Sequence, residues 1–215
     1  MSYGEESFAA ARRRLVEELR IEGYLHDADV ERAMLTVPRH RFLPRYIRQN
    51  AYNDSPLSIM RGQTISAPHM VAMMCELISP SRVKRLLEVG SGTGYHACVC
   101  AEAMGRQGIV YSLEIDPFLA IYAAINVVHN GYGNVVKVFR ANGRNGLPSL
   151  APFDAILVTA AAESIPPQLL NQLREGGVMV IPVREGDEQV LYRVTKLGSE
   201  IRMEPISSVL FVPLK

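Results

Sequence analysis

No tryptophan occurs in the 215 residues, and cysteine occurs only three times. Cys75, Cys98 and Cys100 are an odd, sparse set, which argues against a disulfide framework and for reduced thiols in a cytoplasmic protein. Cys98 and Cys100 fall two apart on an expected helix and so point to different faces; all three read as small buried hydrophobes. His26, His40, His69, His96 and His129 lack metal-ligand spacing, and no metal is expected. No apolar run approaches the ~18 residues of a spanning helix, and charged residues, Glu5-Glu6 and Arg12-Arg13-Arg14, stand where a secretory signal would be apolar. The formal charge is only +1, so no global field draws the chain to nucleic acid or to a membrane. Repeats and low-complexity segments are absent too. What is left is a globular chain of ordinary make-up, 48% hydrophobic and 21% charged, long enough for one domain with a large core. No dedicated oligomerisation helix is visible, and a monomer is expected.

What is present centres on Leu86–Tyr95, reading Leu-Leu-Glu-Val-Gly-Ser-Gly-Thr-Gly-Tyr. An apolar run ends at Gly90, glycines alternate at 90, 92 and 94, and a helical segment begins at Tyr95. Strand, glycine turn and helix open a nucleotide-binding βαβ unit, because only a residue without Cβ lets the backbone turn so sharply beside a ligand. The dinucleotide fingerprint needs a third glycine three positions after the second, and Tyr95 stands there. Glu88, at the strand end, would repel a pyrophosphate and suits a cationic or hydroxyl-bearing ligand. A second acid, Glu114, closes the next apolar run at the spacing of a ribose-binding carboxylate. Acid, Gly-x-Gly-x-Gly, then acid resembles the S-adenosylmethionine site of Rossmann-like methyltransferases.

Around this stretch the pattern predicts helices over 5–22, ended by Gly23, and over 28–36, capped by Asp27 or Asp29. The first would bury Phe8, Leu15 and Leu19, with Ile21 or Val16. The basic stretch Pro38–Arg48 reads as a solvated face beside the apolar anchors Phe42, Leu43 and Ile47, in preference to a nucleic-acid surface. Residues 49–65 read as loop, and a helix follows over 67–78 with Ser66 as its N-cap. From Arg85 strands (86–89, 109–113, 135–139, 153–159, 178–183) alternate with helices (95–104, 117–130, 166–174), with Asp116-Pro117 starting the second of these. That rhythm predicts a doubly wound, mostly parallel α/β sheet. Two further strand runs, 188–197 and 206–212, suggest an antiparallel closure, with Phe211-Val212-Pro213 at an edge.

Taken together, separated stretches resemble the protein-L-isoaspartate O-methyltransferase family over nearly the whole chain. They are Val37-Pro38-Arg39-His40-Arg41-Phe42-Leu43-Pro44, the loop Gly62-Gln63-Thr64-Ile65-Ser66-Ala67-Pro68-His69-Met70, the glycine turn, and Phe153-Asp154-Ala155-Ile156-Leu157-Val158-Thr159-Ala160-Ala161-Ala162. Many methyltransferases share the glycine turn; the Gln-Thr-Ile-Ser loop and the Thr-Ala-Ala-Ala segment are far more specific. The resemblance implies a Rossmann-like class I methyltransferase using S-adenosylmethionine. Residues 1–80 would form a helical and loop elaboration over the active site of a single domain, and 81–215 its cofactor-binding core. It implies methylation of the free α-carboxylate of L-isoaspartyl residues in aged proteins and peptides, with Ser66 at the reacting carboxylate. Thr64, Ile65, Ser66, His69, Glu88, Gly90, Ser91, Gly92, Glu114, Ile115, Asn142, Gly143 and Thr159 would surround the cofactor, Asn142 and Gly143 at the adenine. An alternative is methylation of an ordinary aspartate in one dedicated protein. The family commonly has Gly-Asp-Gly where Ala141-Asn142-Gly143 stands, which predicts weaker cofactor binding here. It also commonly has glycine at Met60, so a bulkier, less permissive residue bears on the loop's shape.

Overall fold

The central strands are apolar almost without a break, as in Ala155-Ile156-Leu157-Val158, and such runs give a sheet two buried faces. The computed structural model describes residues 4–198 and 200–215. Two helices come first, α1 (Glu5–Ile21) and α2 (Ala28–Thr36). Val16 faces inward with Leu15 and Leu19, whereas Ile21 is 74% exposed. Of the two candidate caps for α2, Asp27 is the one that accepts from the Asp29 and Val30 amides. Two 3-10 turns, Arg39–Phe42 and Arg45–Asn50, lead to a small antiparallel hairpin, β1 (Leu57–Ser58) and β2 (Thr64–Ile65), and then to α3 (Pro68–Leu77). The expected loop over 49–65 therefore holds a hairpin, whose two-residue strands are too short to show alternation.

The regular alternation follows: β3 (Arg85–Val89), α4 (Tyr95–Ala103), β4 (Ile109–Glu114), α5 (Pro117–His129), β5 (Val136–Arg140), β6 (Phe153–Val158) and α6 (Pro167–Gln172). β7 (Leu173–Glu185), β8 (Glu188–Leu197) and β9 (Glu200–Ser208) complete one sheet, in the order β5-β4-β3-β6-β7-β8-β9. The first five of these strands are parallel to one another, and β8 and β9 add antiparallel. Leu86, Val110, Ala155 and Leu157 pack with buried residues of α1 to α4 on one face, and Leu87, Val89, Ile156 and Val158 with Leu169 of α6 on the other. Chain direction across the sheet reverses between β3 and β6. The crevice beyond their C-terminal ends is where such sheets take ligands. Among the described residues, no helix is long and apolar enough to cross a membrane.

Three expectations need correction. The helix over 166–174 stops at Gln172, where the side chain is drawn to the Leu147 amide (2.7 Å) and the Asn145 carbonyl (2.8 Å). Lys196 takes up the Leu170 and Leu173 carbonyls at 3.1 and 2.8 Å, closing the helix end. The last strand is 200–208, not 206–212: Ala161 donates to the Val212 carbonyl and accepts from the Leu214 amide, so the tail runs beside the end of β6. Finally, the basic stretch is not uniformly solvated, since Arg39 and His40 are buried.

Candidate active site

The glycine turn sits at the C-terminal end of β3. Gly90, Gly92 and Gly94 have φ of 101°, 52° and 84°, a region costly for any residue with a Cβ. At Gly90 a Cβ would also lie 2.2 Å from Thr159 Oγ1. Thr159 hangs from the end of β6 and donates to the Val89 and Gly90 carbonyls at 3.0 and 2.9 Å, fixing the turn from the neighbouring strand. From the other side, the Gly90 and Ser91 amides donate to the Leu113 carbonyl at 2.8 and 3.0 Å. Gly143 is equally constrained, with space for a Cβ taken by Val89 Cγ1 at 2.2 Å.

The two acids end differently. Glu114, at the tip of β4, accepts from the Gly92 amide at 2.9 Å through one oxygen and from the Asp116 amide at 3.1 Å through the other. Both oxygens are thus oriented and each keeps a lone pair. Glu88 is fully buried beneath the turn. Ser91 donates to Ser112 (Oγ–Oγ 2.6 Å), and Ser112 donates to Glu88 Oε2. Glu88 Oε1 has no hydrogen-bond partner among the described residues, and His96 Nδ1 lies 3.9 Å from it. Burial pushes the Glu88 carboxyl up to about 8; the Ser112 bond opposes this and nearby Glu114 adds to it. Burial also brings His96 down to about 4, with the Arg39 charge acting in the same direction.

Opposite the turn stands the Thr64–Ser66 segment. The N-cap position of α3 falls to Ala67, not Ser66, and no side chain caps the helix. The Ser66 hydroxyl has no hydrogen bond within the described residues, although its carbonyl is held at 2.8 Å by Arg39. His69, one turn on, is locked by Asp54: its amide donates to Oδ1 at 2.9 Å and its Nδ1 lies 2.8 Å from Oδ2. With Nδ1–H donating to a carboxylate, Nε2 is the ring atom left for a ligand. Met60 has an ordinary negative φ and packs partly buried against the core; the positive φ values fall on Arg61 (64°) and Gly62 (67°). Arg61 is tied down by Asp116 Oδ2 at 3.1 Å and by the Phe118 ring at 5.1 Å.

These segments enclose one cleft of about 1300 Å³. Of the residues singled out from the sequence, Thr64, Ile65, Ser66, His69, Gly90, Ser91, Gly92, Glu114, Ile115, Gly143 and Thr159 all line it. Glu88 lies under the floor, and the Asn142 side chain turns to accept from the Arg144 amide at 2.9 Å. The tail, expected only as a sheet edge, lines the cleft instead: residues 208–215 form one wall, with the Leu214 carbonyl held by Arg144 at 2.8 Å. Asp54, which holds His69, lies in the expected loop 49–65 and carried no signal beyond that.

A parallel sheet with this strand order, a glycine turn at the switch point and a carboxylate at the next strand tip define a class I, Rossmann-like methyltransferase fold. The family model described as "Protein-L-isoaspartate(D-aspartate) O-methyltransferase (PCMT)" matches residues 10–215. A protein-L-isoaspartate O-methyltransferase of Pyrobaculum arsenaticum is 54% identical over 203 residues, covering 94% of this chain and 99% of its own. The namesake from Methanopyrus kandleri is 49% identical and spans 100% of this chain and 95% of its own. The crystal structure of the Plasmodium falciparum protein of that name, in complex with S-adenosyl-L-homocysteine, superposes with a TM-score of 0.83 at 31% identity, covering 95% of this chain and 98% of that one. The chain belongs to the protein-L-isoaspartate O-methyltransferase family.

Proposed function

We propose that the protein transfers the methyl group of S-adenosylmethionine to the free α-carboxylate of L-isoaspartyl residues in damaged proteins and peptides. One observation carries the reading: an uncommitted Ser66 hydroxyl shares a cleft with a glycine turn and the oriented carboxylate of Glu114. The residues suit a cationic, hydroxyl-bearing cofactor. Glu114 has lone pairs for two ribose hydroxyls, and Glu88 Oε1 and Thr93 Oγ1 are buried polar atoms with no protein partner among the described residues. Gly90, Ser91 and Gly92 would form the cradle, with Ile65, His69, Ile115 and Thr159 around it, and Asn142 and Gly143 would take the adenine. When bound, this cofactor supplies a methyl group on a sulfonium, open to displacement by an anionic oxygen.

The chain's own tasks are then modest in number. A carboxylate with a pKa of ~4 arrives ionised, so no general base is required. The Ser66 hydroxyl donates to one carboxylate oxygen and leaves the other free to attack. One neutral donor is enough, because a stronger one would blunt the nucleophile. The β1–β2 hairpin and the tail 208–215 both line the cleft in which the two reactants would meet. Alignment of this kind can supply ~7–11 kcal/mol of a displacement barrier. We take the working unit to be the single 215-residue chain, acting in the cytoplasm, with residues 1–80 an elaboration of the same domain and with no role for nucleic acid or membrane.

The test is methyl transfer from labelled S-adenosylmethionine to two versions of one peptide, isoaspartyl and normal aspartyl, read as methanol released from the labile ester. The isoaspartyl peptide alone should be methylated. Equal labelling of both, or labelling of the aspartyl peptide only, would overturn the assignment.

A further inference from the structure

Arg39 is fully buried, and none of its hydrogen-bond partners is a carboxylate. A buried cation is costly unless its donors are used. Here Nε donates to the Ala51 carbonyl at 2.9 Å and Nη2 to the Ser66 carbonyl at 2.8 Å. The guanidinium lies over the Tyr95 ring, 5.1 Å from its centroid. Nη1 is buried with no partner among the described residues. The three anchors belong to three different segments. Ala51 closes the 3-10 turn Arg45–Asn50, Ser66 carries the uncommitted hydroxyl, and Tyr95 is the first residue of α4, directly after the glycine turn. One rigid planar fork thus links the two opposed sides of the cleft.

We propose that Arg39 is a positioning residue for methyl transfer: by gripping the Ser66 carbonyl while stacked on Tyr95, it sets the distance between the acceptor-steering hydroxyl and the glycine turn. The proposal rests on the role given to Ser66 above. Arginine suits the task where lysine would not, because its donors are fixed in one plane and that plane can stack on a ring. A staple that only stabilised the fold would show itself in stability and leave the effect of a Ser66 change untouched.

The experiment is a double-mutant cycle on the full chain, with R39K, S66A and R39K/S66A. It measures kcat and KM with an isoaspartyl peptide and the Kd of S-adenosylhomocysteine by calorimetry. A misplacement of about 1 Å costs about 100-fold, so R39K should lower kcat by about 10- to 100-fold. The Kd of S-adenosylhomocysteine should stay within about threefold of the unmodified protein. Because Arg39 acts through Ser66, the double variant should be no more than about threefold slower than the slower single variant. Independent losses that multiply, an unchanged kcat in R39K, or a Kd that rises as far as kcat falls would each overturn the proposal. A normal kcat in S66A would instead overturn the role of Ser66 and the proposal with it, so the two failures are distinct. Should R39K not fold, R39M carries the same cycle, since it fills the space without a buried charge.

Discussion

Replacing Glu88 with glutamine isolates a proton that the cofactor should displace. In the free protein Glu88 is fully buried, one oxygen taken by Ser112 and the other unpartnered, and its carboxyl is pushed up to about 8 from an ordinary 4.5. At pH 7 roughly nine in ten molecules then hold Glu88 neutral, and ionising it in place costs on the order of 5 kcal/mol relative to the unfolded chain. The sign follows from the raised value. The neutral carboxyl favours the fold fully below about pH 4.5, and that contribution is lost as pH rises through about 8. A cation bound above the turn reverses the preference and makes Glu88 ionise. Binding of S-adenosylhomocysteine, whose amino group is cationic, should therefore release close to one proton at pH 7, and its Kd should fall by up to about tenfold per pH unit up to about pH 8. Of the groups beside Glu88, His96, brought down to about 4, stays neutral across this range and Ser112 does not titrate, while the nearby Glu114 adds to the upward push on the carboxyl. Calorimetry in two buffers of different ionisation enthalpy counts the protons directly. E88Q should abolish both the release and the slope, and its unliganded melting temperature should not show the decline expected between pH 5 and 8. Binding without proton release at pH 7, or a Kd flat between pH 6 and 8 in the unmodified protein, would refute the argument.

Other positions give independent checks. G90A combines a φ of 101° with a Cβ placed 2.2 Å from Thr159 Oγ1, and should destabilise by about 2–4 kcal/mol in chemical denaturation. Adding T159A should restore only the steric part, and full recovery would mean that backbone strain contributes nothing. E114Q can no longer accept from both the Gly92 and Asp116 amides, and should weaken S-adenosylhomocysteine by about 10- to 100-fold. A Kd within twofold of the unmodified value would remove Glu114 from the site. N142D keeps the acceptor that caps the Arg144 amide and adds charge, so cofactor binding should tighten by about three- to tenfold. Unchanged or weaker binding by calorimetry would count against a contact to the adenine from this position.

The features legible in the sequence were those written in local chemistry. The strand β3, the three glycines and the acid closing β4 were each fixed by neighbours a few residues away, and so was the Asp116-Pro117 start of α5. Features decided by distant partners were not legible. Ser66 reads as a helix cap until Ala67 takes that position, which leaves its hydroxyl free. Arg39 reads as one more solvated arginine, since nothing nearby in sequence reveals the Ala51 and Ser66 carbonyls 12 and 27 residues away. Phe211–Pro213 reads as an edge because Ala161, its actual neighbour, lies on another strand's end. Met60 shows the reverse case. A bulky residue where relatives commonly have glycine looked costly, yet the left-handed turn is made one and two residues later, at Arg61 and Gly62.

A crystal structure with S-adenosylhomocysteine would show whether the cofactor and the Ser66 hydroxyl meet in one cleft. The ligand should lie along Gly90–Gly94 with its ribose hydroxyls on Glu114 and its sulfur facing the Ser66 hydroxyl, separated by no more than the room an acceptor carboxylate needs. A ligand bound elsewhere, or one whose sulfur points away from Ser66, would contradict the account.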